Sequence, residues 1–239
     1  MPDLIWSHPV TVSIRPLVAE FWMTDASDPN LTPRQDSASL HSAQQSVRAG
    51  SWSWVRQVHS DRVVIASAPG DGAGATGDAI VTNVPDAVVA IQVADCVPIG
   101  LTSTHGAIGV VHAGWRGALD GVIESAVRTL RAAAPSGAGT AIDAVVGPHI
   151  CVDCYEFGAD DLATMTRRFG AGVEGVTSTG TPGLNMTTVV TAELQRLGID
   201  PDLSPVNCTA CSGRYWSHRA RAESQRQSLV AVITESATP

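Results

Sequence analysis

The stretch VHAGWRG at residues 111–117 decides how this chain folds. It follows an apolar run at 107–111, carries two glycines, and leads into a segment whose apolar residues recur at helical spacing. We therefore predict a strand, a tight turn and an amphipathic helix that begins near Ala118 and ends near residues 135–137. The apolar face of that helix consists of Leu119, Val122, Ile123, Ala126, Val127 and Leu130.

Outward from this unit, short runs rich in Val and Ile predict three more buried strands, at 87–93, 142–146 and 229–233. Two further helices are expected at about 160–169 and 187–197. Residues 25–50 are polar and without clear periodicity, which predicts a long loop. We find neither a repeat nor a linker in the sequence, so it favours one domain of mixed α and β structure.

The charge of the chain excludes several classes of function. Its formal net charge is −8, which disfavours binding to nucleic acids or anionic membranes. All 15 basic residues are arginine, so a Schiff-base lysine, a phosphate-loop lysine and a serine–lysine dyad are ruled out. A side-chain cation that holds an anion must therefore be arginine or protonated histidine.

The sequence predicts a cytoplasmic protein without a membrane span. No basic stretch followed by an apolar segment opens the chain, and the longest apolar run, 87–101, is interrupted by Gln92 and Asp95. The five cysteines are an odd number, which indicates reduced thiols or metal ligands rather than a disulfide framework.

Three segments each place one metal-binding side chain at the end of an apolar run or in a turn. They are QVHSDRV (57–63), ADCVP (94–98) and VHAGWRG, and they contribute His59, Cys96 and His112. Two imidazoles and one thiolate suit zinc and leave a fourth position for water or substrate. The alternative is that each is a structural residue at a strand end.

Two charged residues beside these segments are candidates for chemistry. Arg116 lies where the predicted helix begins, and free N–H groups there favour an anion; the alternative is a solvated arginine. Asp95 adjoins Cys96 and would orient a ligand or move a proton, unless it is structural.

Two CxxC pairs, Cys151/Cys154 and Cys208/Cys211, raise the alternative of a zinc ribbon. The stretch between the pairs is far longer than the roughly 15–20 residues of such sites and contains two predicted helices. We interpret the pairs as unrelated, with a structural four-cysteine site as the alternative.

Taken together, these segments resemble the laccase-domain family, also called multicopper polyphenol oxidases or peptidoglycan editing factors. The resemblance runs from about residue 57 to 157 through QVHSDRV, GDAIVTN, VADCVPIGL, VHAGWRG and VGPHICVDCYEFG, with a weaker echo in NCTACSGRYWSHRAR (207–221). It implies that His59, Cys96 and His112 bind the metal. It also implies an α+β fold, a single domain over residues 1–239 in which mixed β-sheets are layered with α-helices.

Members of this family resemble zinc-dependent purine nucleoside phosphorylases that also deaminate adenosine and cleave methylthioadenosine. The resemblance thus implies purine nucleosides and phosphate as partners, with phosphate held by Arg116 and, on the weaker match, Arg219. Asp95 completes the predicted catalytic set. Copper is the alternative metal, as in a laccase, but seven histidines without a His-X-His pair argue against a multicopper oxidase.

Other functions stay open at this point. A hydrolase with Cys96 as nucleophile and His112 as base is one alternative, and an editing factor or a binding partner in the cell envelope is another. The chain also departs from the family where FWMT (21–24) runs into DASDPN without the arginine and glycines of a TR-x-GG-x-S loop. If that arginine binds substrate, its loss counts against phosphorylase activity.

Overall fold

Two large β-sheets form the centre of the molecule. In the computed structural model, the residues described are 2–12, 15–133 and 141–235. The strands are β1 (Asp3–Val12), β2 (Arg15–Met23), β3 (Trp52–Arg56), β4 (Val63–Ile65), β5 (Ala75–Thr76), β6 (Ala79–Thr82), β7 (Val88–Val93), β8 (Val97–Ser103), β9 (Ile108–Ala113), β10 (Ile142–Val146), β11 (Glu174–Val176), β12 (Pro182–Leu184), β13 (Pro201–Asp202) and β14 (Gln227–Glu235).

The helices are short. They are α1 (Ser37–Val47), α2 (Trp115–Asp120), α3 (Val122–Ala133), α4 (Ala159–Phe169), α5 (Met186–Arg196) and α6 (His218–Arg221), with 3-10 turns at Val152–Cys154 and Ala171–Val173. Within the described ranges, none of them has the length and apolar character needed to cross a membrane.

The two sheets stack face to face, with helices on both outer sides. The first sheet has the strand order β1-β2-β14-β7-β3-β5 and the second has β13-β10-β8-β9-β6-β4, while β11 and β12 form a small separate pair. Phe21 and Ile91 of the first sheet meet Ile80 and Ile108 of the second in one buried cluster. The outer face of the second sheet packs against α3, α4 and α5, and that of the first sheet packs against α1. The predicted α+β fold of layered sheets and helices is confirmed.

Most of the predicted elements are present. The apolar runs correspond to β7, β9, β10 and β14, and the two later helices are α4 and α5. Val and Ile dominate these strands because they are buried on both faces, one against the other sheet and one against helices.

The helix predicted after residues 111–117 is in fact two helices. Gly121 adopts a left-handed conformation, φ 95°, which ends α2, and α3 begins at the next residue, Val122. The predicted continuous helix is therefore wrong at this point, although α3 buries the expected apolar face. Its predicted end near residues 135–137 lies outside the described residues.

The long loop predicted for residues 25–50 is also wrong, because it contains α1. Asp36 caps this helix by accepting the backbone N–H groups of Ala38 and Ser39 at 3.1 and 3.0 Å. Only Leu40 and Gln44 of α1 are buried, so the segment has almost no apolar periodicity.

Candidate metal centre

Strand pairing brings three distant parts of the chain to one edge of the stacked sheets. β3 and β7 run parallel, so their carboxyl ends meet. His59 follows β3, and Cys96 lies where the chain crosses from β7 into β8. The start of β8 pairs with the end of β9, which carries His112. As a result, the ligand atoms of His59, Cys96 and His112 lie within 4.8 Å of one another. We call these three residues the metal triad.

A fully buried carboxylate, Asp78, supports two members of the triad. The Nδ1 atom of His112 donates to Asp78 Oδ1 at 2.9 Å. The other ring nitrogen, Nε2, is therefore the atom that can serve as a metal ligand. The same carboxylate accepts the backbone N–H groups of Val58, His59 and Ser60 at 3.2, 2.9 and 2.7 Å. Burial acts to raise the pKa of Asp78, but the hydrogen bonds from His112 and Ser60 lower it to about 2. Asp78 is therefore an anion that orients His112 and holds the His59 loop.

Sequence reasoning missed Asp78, although it lies within GDAIVTN. The available signal was an acidic residue immediately before a strand with four buried residues, β6. A carboxylate is expensive to bury unless it is fully hydrogen-bonded, so an aspartate in that position indicates partners elsewhere in the fold.

The pKa values of the two triad histidines are shifted in opposite directions. Burial lowers the pKa of His112, but negative charge on Cys96 and the Asp78 contact raise it to about 9. Burial and the neighbouring His112 lower the pKa of His59. The two imidazole rings are 4.8 Å apart, centre to centre. His112 is buried, Cys96 is half-buried and His59 is exposed, so the triad is accessible from one side.

Gly114 gives the triad its close packing. A Cβ atom at this position would lie 2.4 Å from His59 Nδ1 and 3.3 Å from Cys96 Sγ. Any side chain would thus push His59 out of place. This contact explains the glycine that follows His112 and Ala113 in the turn into α2.

Asp95, the acidic residue predicted from the sequence, contacts the segment 208–221. It accepts the hydroxyl groups of Thr209 and Ser217, both at 2.7 Å, and the backbone N–H of Arg219 at 2.6 Å. Its own backbone has φ 90°, a conformation rare outside glycine. Asp95 thus anchors residues 208–221 beside Cys96, and its catalytic role stays a prediction.

Arg116 and Arg219 are exposed and lie on one aromatic rim. The Arg116 guanidinium stacks 4.2 Å from the Trp115 ring centre, and that of Arg219 stacks 5.0 Å from Tyr155. Both rings pack edge-on against Phe157 at 5.3 Å. Burial and then negative charge on Cys96 raise the pKa of Tyr155, so its phenol stays protonated beside the triad.

A cavity of about 560 Å³ opens beside the triad. That volume lies in the usual range for small-molecule sites. Its lining includes all three members of the triad, and neither Arg116 nor Arg219. Other lining residues, which sequence reasoning did not single out, are Arg34, Trp54, Gln57, Gln92, His218 and Arg226.

Arg34 and Arg226 make one part of this cavity strongly cationic. Burial and the charge of Arg34 lower the pKa of Arg226, which shows that the two guanidinium groups repel each other. The Arg226 guanidinium donates to the backbone oxygens of Glu223 and Gln225, at 3.1 and 2.6 Å. In the ranges that the structure describes, neither arginine forms an ion pair with a carboxylate. Two neighbouring arginines without an acidic partner are suited to bind an anion.

Comparison with known proteins identifies the family of this chain. The sequence model of the family described as multi-copper polyphenol oxidoreductase laccase matches residues 26–234. A purine nucleoside phosphorylase of Streptomyces coelicolor is 37% identical over 170 residues, which are 70% of this chain and 68% of the relative. A Mycobacterium tuberculosis protein of the same name is 34% identical over 176 residues, 72% of this chain and 68% of its own.

The fold is also found in solved structures. The crystal structure of a Neisseria meningitidis DUF152 protein superposes with a TM-score of 0.75 at 19% identity, over 95% of this chain and 98% of that one. At that identity the likeness shows a shared fold.

Proposed function

Because this chain belongs to the multi-copper polyphenol oxidoreductase laccase family, we propose that it is a zinc-dependent purine nucleoside phosphorylase that also deaminates adenosine and cleaves methylthioadenosine. The observation that carries the proposal is the cavity, which joins the metal triad to an unpaired pair of arginines. The names of the relatives support the phosphorylase activity. The proposed catalytic domain covers residues 1–239, and five free cysteines favour the cytoplasm.

The donor set fits one zinc ion. His59, Cys96 and His112 would hold it, and Asp78 would fix His112 in the tautomer that presents Nε2. When bound, zinc supplies Lewis acidity at its open fourth position. Copper is disfavoured as a multinuclear centre, because within the described ranges no other cluster of potential ligands contains a histidine.

Arg34 and Arg226 are proposed to hold the phosphate inside the cavity. Each guanidinium can donate two parallel hydrogen bonds to phosphate oxygens, and a dianion relieves the repulsion between the two cations. Arg34 thereby supplies a cation that the missing TR-x-GG-x-S loop does not. Arg116 and Arg219, the anion-binding residues predicted from the sequence, are not among the residues that line this cavity, so variants of the two pairs separate the two assignments.

The remaining lining suits a purine nucleoside. The indole of Trp54 offers a flat face on which a purine ring stacks. Gln92 is nearly fully buried, and its side-chain oxygen has no hydrogen-bond partner in the described ranges, so it can accept an N–H of the ligand.

In phosphorolysis, these residues would bind the two reactants and position them for reaction. The arginine pair holds phosphate so that one oxygen forms a bond to the ribose anomeric carbon. The bond from that carbon to the purine nitrogen breaks, and the purine leaves with the bonding electrons and takes up a proton. In deamination of adenosine, water replaces the amine and ammonia is released.

One observation favours a second candidate, a thiol hydrolase. Cys96, His112 and Asp78 lie in the order nucleophile, base and orienting acid. The two candidates differ at His59, which the hydrolase does not need and the metal site does.

Metal analysis combined with turnover tests the proposal. We expect the purified protein to release free purine from inosine, guanosine, adenosine or methylthioadenosine only when phosphate is present, with zinc bound at the triad. Ammonia release from adenosine tests the deaminase activity separately. Purine release that is independent of phosphate, or full activity after the zinc is removed, would contradict the assignment.

A further inference from the structure

Four of the five cysteines lie close together in the fold, and none of them is near a member of the metal triad in the sequence. The sulfur atoms of Cys151, Cys154, Cys208 and Cys211 all lie within 4.8 Å of one another. We call them the four-cysteine cluster. They were interpreted from the sequence as two unrelated pairs, and that interpretation is wrong about their position.

Parallel strand pairing explains why the pairs meet. β10 and β13 run side by side in the same direction, so the segments that follow them leave the same edge of the second sheet. A bridge between His149 and Cys208 continues that pairing beyond both strands. It is built from His149 N–H to the Asn207 oxygen at 3.0 Å and from Thr209 N–H to the His149 oxygen at 3.1 Å. The long sequence between the pairs therefore does not separate them in space.

Each pair forms a tight turn that presents its sulfur atoms inward. The backbone N–H of Cys154 donates to the Cys151 oxygen at 3.1 Å, and that of Ser212 donates to the Cys208 oxygen at 3.2 Å. The sulfur of Cys208 accepts the backbone N–H groups of Cys151 and Cys211 at 3.3 and 3.5 Å. N–H groups aimed at a sulfur stabilise its thiolate form, which is the form that binds metals.

We propose that the four-cysteine cluster is a second metal site, which binds a structural zinc ion through four thiolates. A Zn–S distance of about 2.3 Å in a tetrahedron places the sulfur atoms about 3.8 Å apart, and the observed spacing needs only a small contraction to reach it. Four protein ligands complete the coordination, so the site has no position for substrate. The proposal does not depend on the function proposed above.

This ion would order the rim of the active site. Tyr155, which directly follows Cys154, carries the Arg219 guanidinium on its ring. Thr209, which directly follows Cys208, binds Asp95 beside Cys96. A metal ion in the cluster would therefore link the segment of Tyr155 to the segment of Thr209. The other described contacts of these two residues are hydrogen bonds and ring packing.

Zinc counting in matched variants tests the proposal. We expect two zinc ions per chain in the wild-type protein by mass spectrometry of the metals. One should remain in a His59→Ala, Cys96→Ala, His112→Ala variant, and one in a Cys154→Ser, Cys211→Ser variant. The second variant should also unfold at a lower temperature. A single zinc in the wild-type protein that disappears in the triad variant would overturn the proposal.

Two further measurements on the wild-type protein keep the test decisive if the cysteine variant fails to fold. Cobalt substitution should produce the intense sulfur-to-cobalt absorption of a four-thiolate site, in addition to the weaker spectrum of the triad. Alkylation after denaturation in chelator should label all five cysteines, since none is in a disulfide. Disulfides among the four cysteines, or iron in place of zinc, would contradict it.

Discussion

The metal triad and the four-cysteine cluster are built by the same device and differ in their surroundings. Each collects its ligands where parallel strands end together, β3 and β7 in one case and β10 and β13 in the other. The triad mixes nitrogen with sulfur, faces a cavity and has a buried carboxylate behind it. The cluster contains only sulfur, and its contacts are to the backbone. We therefore propose that the triad, with three ligands beside open space, serves chemistry and that the cluster, with four ligands, serves stability.

Removal of one triad ligand should have the largest effect. In Cys96→Ser, a hydroxyl replaces the thiolate and is a much poorer zinc ligand, so we expect activity to fall to background and one zinc ion to be lost. Circular dichroism should show an unchanged fold. Cys96 should also resist iodoacetamide in the wild-type protein until chelator is added. Equal alkylation rates with and without chelator, mapped by peptide mass spectrometry, would move the thiol hydrolase ahead.

Substitution of Asp78 should weaken zinc binding less than loss of a ligand does, but clearly more than substitution of an acidic residue on the surface. Asp78→Asn keeps the shape and removes the charge that orients His112. Loss of such an orienting partner typically weakens metal affinity about 10–100-fold. Asp161→Asn is the matched control, because Asp161 is exposed on α4. Competition with a zinc indicator measures both, and equal affinities in the two variants would remove the role given to Asp78.

The arginines should separate phosphate binding from metal binding. In Arg34→Ala, the KM for phosphate should rise about ten- to a hundredfold, since a charge-assisted contact contributes roughly 1.5–3 kcal/mol. Zinc content should not change. Arg116→Ala serves as the comparison, with a smaller expected rise, because Arg116 is not among the residues that line the cavity. A larger rise in Arg116→Ala would return the phosphate to the residues predicted from the sequence.

Brief treatment with chelator should have the smallest effect on stability. The triad has three protein ligands and adjoins a cavity that the reagent can enter, whereas a cluster with four thiolate ligands should release its ion slowly. We expect activity to disappear while the unfolding temperature falls by only a few degrees, at about 2–4 °C for each kcal/mol in a chain of this size. A single step that removes both ions and unfolds the protein would show that the two sites are not independent.

The metal triad could be predicted because its residue types are distinctive wherever they occur. His59, Cys96 and His112 each follow or end an apolar run, and the family resemblance linked them. Asp78, Arg34 and Arg226 could not be found that way, since their roles depend on what lies opposite them in the folded chain. The prediction that the two cysteine pairs are unrelated was wrong for the same reason. Strand β13 has only two residues, so its pairing with β10 cannot be recognised in the sequence.

Local structure shows a similar division. Strongly apolar strands such as β7 and β9 were predicted because burial on both faces leaves a continuous pattern. Helix α1 was missed because its capping residue, Asp36, defines it better than its two buried side chains do. The break at Gly121 was missed because the apolar pattern continues across it.

The position of β14 has a consequence for the order in which the molecule is assembled. This strand lies between β2 and β7, although it is the last strand of the described chain. The hairpin of β1 and β2 therefore cannot join β14 in the first sheet until residues 227–235 have been synthesised. The hydrogen-bond partners of Asp95 likewise lie 114 to 124 residues later in the sequence, so these bonds also form late. Contacts this distant in sequence slow folding. Nascent chains should therefore expose the edge of β7 and depend on protection from aggregation until β14 has been synthesised and has paired with it.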